Sequence, residues 1–131
     1  PNIPEAELLS GIKISNKKDM IKAGKKILES GAGSVLVKGG HLNDNNLVDY
    51  ILYEDKIIDF FSKKINSKNT HGTGCTLSSS LAANLAKSYS IEESMNLAHN
   101  YVKNCIKYAP SLGKGHGPLN HFYNISKNEN H

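Results

Sequence analysis

The sequence predicts an α/β fold, and two observations carry the prediction. Segments with helical apolar spacing follow clear capping signals at Asn16 and Ser90, and a short all-apolar run, Val35-Leu36-Val37, comes directly after one of them. Such a run reads as a strand buried on both faces, and helix followed by buried strand is the alternation of α/β architecture. In chain order, proline opens a short helix over 4–9 that Gly11 ends. Asn16 with Asp19 three residues on is a capping arrangement ahead of Met20, Ile21, Gly24, Ile27 and Leu28, one face of an amphipathic helix closed by Gly31 or Gly33. The buried strand 35–37 follows, and Lys38 ends it.

Two runs, 47–53 and 56–61, are separated only by Glu54-Asp55 and are rich enough in β-branched and aromatic residues to form a hairpin. Glu-Asp is not a preferred turn pair and leaves the register open. A helix over 73–88 places Leu77, Leu81 and Leu85 on one stripe. Ser78, Ser79, Ala82, Ala83 and Ala86 lie beside it, small enough for close packing on a sheet. Ser90 and Glu93 form a capping box for a last helix with Met95, Ala98, Val102, Cys105 and Ile106 on its buried face. Residues 124–131 read as a loose tail on an otherwise single domain, 1–131.

A chain of 131 residues can bury roughly two thirds of its unfolded surface, enough for a core without disulfides. Hydrophobic residues at 38% and charged residues at 21% describe an ordinary globular composition. No apolar run approaches the roughly 20 residues that a membrane helix needs, and no signal-peptide pattern opens the chain, so a cytoplasmic location is expected. The chain begins at Pro1 without an initiator Met, as part of a longer product would. The net charge of +4 comes from scattered lysines, with pairs at 17–18, 25–26 and 63–64 rather than a stripe interleaved with aromatics, which argues against nucleic-acid binding. It suits an anionic small molecule equally well.

The chemistry concentrates in "NTHGTGCTLSSSLA", residues 69–82. A glycine-rich turn feeding a helix N-terminus presents backbone N–H groups and the positive end of the helix dipole, a place that binds anions. Gly72 and Gly74 allow the backbone to approach a phosphate closely. The stretch is neither a P-loop nor a G-x-G-x-x-G fingerprint, and a plain cap after a flexible turn remains an alternative. Cys75 stands at the first turn, the environment that lowers a thiol pKa from about 8.5. General base, covalent nucleophile with His71 nearby, and inert packing residue all remain open for it. Cys105, on the apolar face of the last helix, reads as a small buried hydrophobe, and the distance between the two cysteines in sequence argues against a zinc cluster or redox pair.

Four stretches, "PNIPEAELLSG" (1–11), "VLVKGGHL" (35–42), "NTHGTGCTLSSSLAA" (69–83) and "GKGHGPLNHF" (113–122), together resemble the hydroxymethylpyrimidine phosphate kinases of thiamine biosynthesis, in the ribokinase-like superfamily. The resemblance runs to about Tyr123 and corresponds to the C-terminal, nucleotide-binding portion of those longer enzymes. It implies a three-layer αβα sandwich and transfer of a phosphoryl group from ATP, with Mg²⁺, to 4-amino-5-hydroxymethyl-2-methylpyrimidine phosphate and to the free alcohol. It further implies that Cys75 is the catalytic base and that Gly72, Thr73, Gly74 and Cys75 offer their N–H groups to the moving phosphoryl. Asn69, Gly72, Gly74 and Lys38 would bind the nucleotide. Asn2 and Glu5 match a motif that holds Mg²⁺ and its waters, although acids also favour a helix start on their own account.

His41, His116 and His121 have no metal-ligand spacing and read as loop histidines, and residues 113–117 are expected to form a wall beside the nucleotide. Dimers are frequent in the superfamily, so a homodimer is an expectation. The alternatives are a pyridoxal or hydroxyethylthiazole kinase, a nucleotide-binding fragment without catalysis and, more distantly, a cysteine hydrolase.

Overall fold

The computed structural model describes residues 1–43, 46–63, 72–110 and 112–125. They belong to two compact units, Pro1–Ile65 and Asn66–His131.

The first unit contains α1 (Ile3–Ser10), α2 (Lys17–Leu28), β1 (Ser34–Asn43), β2 (Asn46–Tyr53) and β3 (Lys56–Lys63). Proline in the first turn and a full capping box define the start of α1: Asn2 Oδ1 accepts the Glu5 N–H at 2.9 Å, and Glu5 Oε2 accepts the Asn2 N–H at 2.8 Å. The helix ends as the sequence predicts, with Gly11 left-handed at φ 70°. Asn16 caps α2 by accepting the Asp19 N–H, while Asp19 Oδ2 accepts the Ser15 N–H.

The three strands form an antiparallel sheet in the order β1-β2-β3. Glu54 takes a positive φ of 50° in the two-residue connection, and pairing of Tyr53 with Lys56 sets the register that the turn pair left open. The strand buried on both faces is β2, the middle one: Val48, Tyr50 and Leu52 point one way, Asp49 and Ile51 the other, and all five are buried. β1 alternates instead, with Val35 and Val37 buried and Leu36 half-buried. It is also longer than the expected 35–37, because an extra residue is absorbed within it. Val37 pairs with Tyr50 and Gly40 with Val48, so Lys38 and Gly39 together face Asp49. Lys38 therefore lies inside a bulged strand and does not end it, since Gly39 at φ 81° lets the chain bulge and continue.

Ala6, Met20, Val35, Val37, Val48, Tyr50 and Leu52 form the core of this unit, with Ile3, Ile14, Ile21, Ile27 and Leu28 packed against it. At Gly24, α2 lies close against the Leu52 and Val37 side chains of the sheet.

The second unit contains α3 (Thr73–Ala86) and α4 (Ile91–Lys107), packed on each other. α3 stops two residues short of the expected 88 because Ser88 is left-handed, at φ 67°, which ends the helical repeat. Its leucine stripe is only partly buried: Leu77 is covered, while Leu81 and Leu85 are half-buried. Its small residues Ser78, Ser79, Ala82, Ala83 and Ala86 are exposed, and within this unit α3 meets another helix where a sheet was expected. α4 follows the sequence closely. Ser90 and Glu93 complete the capping box, and Met95, Ala98, Val102, Cys105 and Ile106 are all buried. Its acidic first turn also suits the positive end of the dipole.

Beyond α4 the chain returns along it. The Asn120 N–H donates to Cys105 O at 3.0 Å, Asn120 Nδ2 donates to Tyr108 O at 3.1 Å, and Leu119 is buried. Tyr123 stacks on Tyr108 and tilts against Tyr101, with ring centroids 5.8 Å apart in both pairs. The expected loose tail lies outside the described residues from 126 onward; before it, the Ile125 N–H closes a turn onto Phe122 O at 2.9 Å. Among the described residues no helix is long and apolar enough to cross a membrane.

A Cβ added at Gly24 would stand 2.6 Å from Leu52 Cδ1 and 3.1 Å from Val37 Cγ2, both in the core. Helix propensity alone favours alanine by about 1 kcal/mol, whereas overpacking a core costs about 1–3 kcal/mol. Gly24→Ala is expected to lower Tm in a thermal melt; a raised Tm would mean that Leu52 and Val37 give way freely.

Candidate functional site

The described site residues expected from the sequence fall into two groups, one in each unit. In the first unit the bulge sets the geometry. The buried carboxylate of Asp49, 6% exposed, accepts the Gly39 N–H at 2.8 Å and so holds the positive-φ residue next to Lys38. The Lys38 N–H in turn donates to Pro1 O at 2.8 Å, tying the strand to the residues that lead into α1. Lys38 and the start of α1, far apart in sequence, thus become neighbours. Lys38, Glu5 and Asp49 thus bring one cation and two carboxylates to one small region.

Asn2 and Glu5 stand there as a reciprocal pair, both exposed. The cap engages one oxygen of each, Asn2 Oδ1 and Glu5 Oε2. An amide and a carboxylate are hard oxygen donors, suited to a magnesium ion that keeps most of its water. Among the described residues no group of three or more His, Cys, Asp or Glu side chains could form a full protein cage for a metal ion. An amide with one carboxylate would fit an ion held largely through water, with Glu5 Oε1 as the carboxylate oxygen outside the cap.

In the second unit the site is built on the start of α3. Gly72 is left-handed at φ 84°, and no side-chain hydrogen bond caps the helix. A Cβ at Gly72 would meet nothing within 4 Å, so the requirement for glycine is conformational, not steric. The Thr76 N–H makes the first intrahelical bond, to Gly72 O at 2.9 Å, which places the amides of residues 73–75 ahead of the helical ladder. α1, α2 and α4 carry acids in their first turns, but α3 has none, so its dipole keeps a positive end uncompensated from within the helix.

Cys75 is exposed on that turn, while Cys105 is buried, as the sequence predicted for it, and burial raises its thiol pKa. The turn opens onto a groove of about 790 Å³ whose walls include Gly72, Cys75, Thr76, Asn84, Tyr101 and His121. Residues 113–117, expected as a wall beside the nucleotide, do not line this groove, because the returning chain reaches it only from His121 onward. His116 is exposed. Asn69 and His71 lie outside the described residues, as does the side chain of His41.

Two features escaped the sequence. Asp49 lies in a run read only for its apolar content, and a lone acid between Val48 and Tyr50 was the available signal. His121 had no diagnostic spacing, yet its Nε2 hydrogen-bonds Thr76 Oγ1 at 2.9 Å, across 45 residues of chain.

Known proteins similar to this chain in sequence and fold give this arrangement its context. The chain is 41% identical over 123 residues to the hydroxymethylpyrimidine/phosphomethylpyrimidine kinase of Bacillus subtilis, covering 93% of this chain and 45% of that protein. It spans about half the length of the curated relatives it matches. Among solved structures, an ADP complex of Bacillus subtilis pyridoxal kinase superposes with a TM-score of 0.81 at 34% identity, over 95% of this chain and 48% of that one. Phosphomethylpyrimidine kinase from Clostridium difficile gives 0.63 at 42% identity, over 79% of this chain and 40% of that one. The α/β, ribokinase-like fold class expected from the sequence is borne out. With the profile of the phosphomethylpyrimidine kinases matching residues 1–120, from the α1 cap through the Cys75 turn to the returning C-terminal segment, this chain belongs to the phosphomethylpyrimidine kinase family.

Proposed function

We propose that this chain is the nucleotide-binding and catalytic portion of a kinase that phosphorylates 4-amino-5-hydroxymethyl-2-methylpyrimidine phosphate to its diphosphate, and also acts on the free alcohol. The observation that carries this reading is Cys75, exposed at the uncapped, glycine-initiated N-terminus of α3 inside a loop that matches the family. Bound Mg-ATP supplies the electrophilic γ-phosphoryl group, with the ion offsetting charge on the phosphates. The protein has little covalent chemistry of its own to perform, and positioning with electrostatic stabilisation supplies most of the catalysis.

Cys75 Sγ takes the proton of the substrate hydroxymethyl group as its oxygen bonds to phosphorus and the bond to the ADP oxygen breaks. The amides of residues 72–75 and the positive end of α3 stabilise the negative charge on the moving phosphoryl oxygens, as donors preorganised in an anion hole do. Thr73 and Gly74 contribute through the backbone. Lys38, fixed by the bulge, binds phosphate as a point charge. Asn69 contributes to the nucleotide site, and Asn2 and Glu5 orient the ion's waters.

A second reading is favoured by the likeness to pyridoxal kinase: the same phosphoryl transfer with pyridoxal as acceptor. ADP release measured with the pyrimidine alcohol, its monophosphate, pyridoxal and hydroxyethylthiazole in parallel separates the two. Turnover with the pyrimidines is expected; turnover with pyridoxal alone would replace the first reading by the second. Substituting Cys75→Ala in the active enzyme is expected to lower kcat by about 10²–10⁴-fold, the usual worth of general-base catalysis, with ATP affinity little changed. Unaltered turnover would remove Cys75 from the base role. Glu5→Gln preserves the capping box, since glutamine serves at that position, but removes the charge. It is therefore expected to raise the Mg²⁺ concentration needed for half-maximal rate without lowering Tm, and an unshifted Mg²⁺ dependence would leave Glu5 a cap alone.

A further inference from the structure

The segment after α4 is anchored without any help from the His121 ring. Leu119 is buried, Asn120 bonds to the carbonyls of Cys105 and Tyr108, and Tyr101 Oη donates to the His121 carbonyl at 2.9 Å. The imidazole therefore projects from a fixed backbone position, and its Nε2 meets Thr76 Oγ1 at 2.9 Å. Thr76 is 8% exposed, directly follows Cys75, and opens the helical ladder through its N–H bond to Gly72 O. Gly72 has no side chain to brace this turn, and its left-handed conformation is one that glycine leaves readily. The tie from His121 to Thr76 joins the start of α3 to a segment held on α4, across the head of the groove that both residues line.

We infer that His121 is a positioning residue for Cys75: through Thr76 it sets the orientation of the first turn of α3, and with it the place of the thiol and of the amides ahead of it. The inference rests on the kinase reading for its catalytic consequence, and on the hydrogen-bond geometry alone for its structural one. Reacting groups tolerate little displacement, since an error of about 1 Å can cost about 10²-fold in rate.

In the active enzyme, His121→Ala and Thr76→Val are each expected to lower kcat about 10-fold or more. The double variant should lose no more than either single one, as for two ends of a single link. Thr76→Ser and His121→Gln, which keep a hydroxyl and a side-chain nitrogen, should restore most of the rate. In parallel, the alkylation rate of Cys75 by iodoacetamide in this 131-residue chain reads the turn without any catalysis, since Cys105 is buried. It should change in His121→Ala and return to the wild-type value in His121→Gln.

Unchanged kcat with unchanged alkylation would overturn the inference, and so would losses that simply add in the double variant. A fall in Tm with no change in kcat or alkylation would reduce His121 to a structural tie and overturn it as well. If the wild-type enzyme phosphorylates no acceptor, the kinase reading fails, and the alkylation rates then decide the positioning role by themselves.

Discussion

Gly72 sits at φ 84° with open space around its missing side chain, and this left-handed turn determines what α3 presents at its start. A residue with a Cβ would resist the conformation, and a Ser, Thr or Asp in the capping position would direct its own oxygen into the first-turn amides. The three other helices are closed in that manner, by Asn2, Asn16 and Ser90, each followed by acids in the first turn. α3 has neither device. It begins in a thiol-bearing turn whose dipole is uncompensated from within, an arrangement that suits the charge stabilisation proposed for this turn.

The first unit solves a different problem, placing a lysine and a carboxylate together from distant parts of the chain. The extra residue in β1 makes Lys38 and Gly39 share one partner position, and the buried Asp49 carboxylate accepts the Gly39 N–H there. A buried charged acceptor is costly unless bonded, so the bond stabilises both the bulge and the carboxylate. From this fixed point the Lys38 amide reaches Pro1 O, and α1 begins beside it. The capping box that starts α1 also holds Asn2 and Glu5 in one orientation. In the proposed function, capping and ligand orientation need not compete for this pair, since a residue locked by a cap would be preorganised for an ion held through water.

The returning C-terminal segment gives the second unit a role beyond two packed helices. Its polar bonds run to the C-terminal end of α4, where helix carbonyls lack partners within the helix, and its aromatic ring Tyr123 packs with Tyr101 and Tyr108. A segment held this way can carry a side chain, His121, to the start of the neighbouring helix. Residues brought together from three stretches, the turn at 72–76, α4 and the segment at 119–123, thus surround a single groove.

The sequence by itself determined the helices and their starts, because capping and 3.6-residue periodicity are local: Asn16, Ser90 with Glu93, and the buried row Met95, Ala98, Val102, Cys105 and Ile106 were all legible. It also determined the family, through the loop around Cys75 and the stretches at 1–11, 35–42 and 113–122. Tertiary structure decided what depends on partners distant in the chain. That β2, not β1, is buried on both faces depends on what packs against the sheet, which no single run encodes. The bulge at Lys38 depends on the pairing with Asp49, and α3's short extent on Ser88 turning left-handed. The link from Thr76 to His121 spans 45 residues, and a hydrogen bond at that separation exists only once α3, α4 and the returning segment have packed.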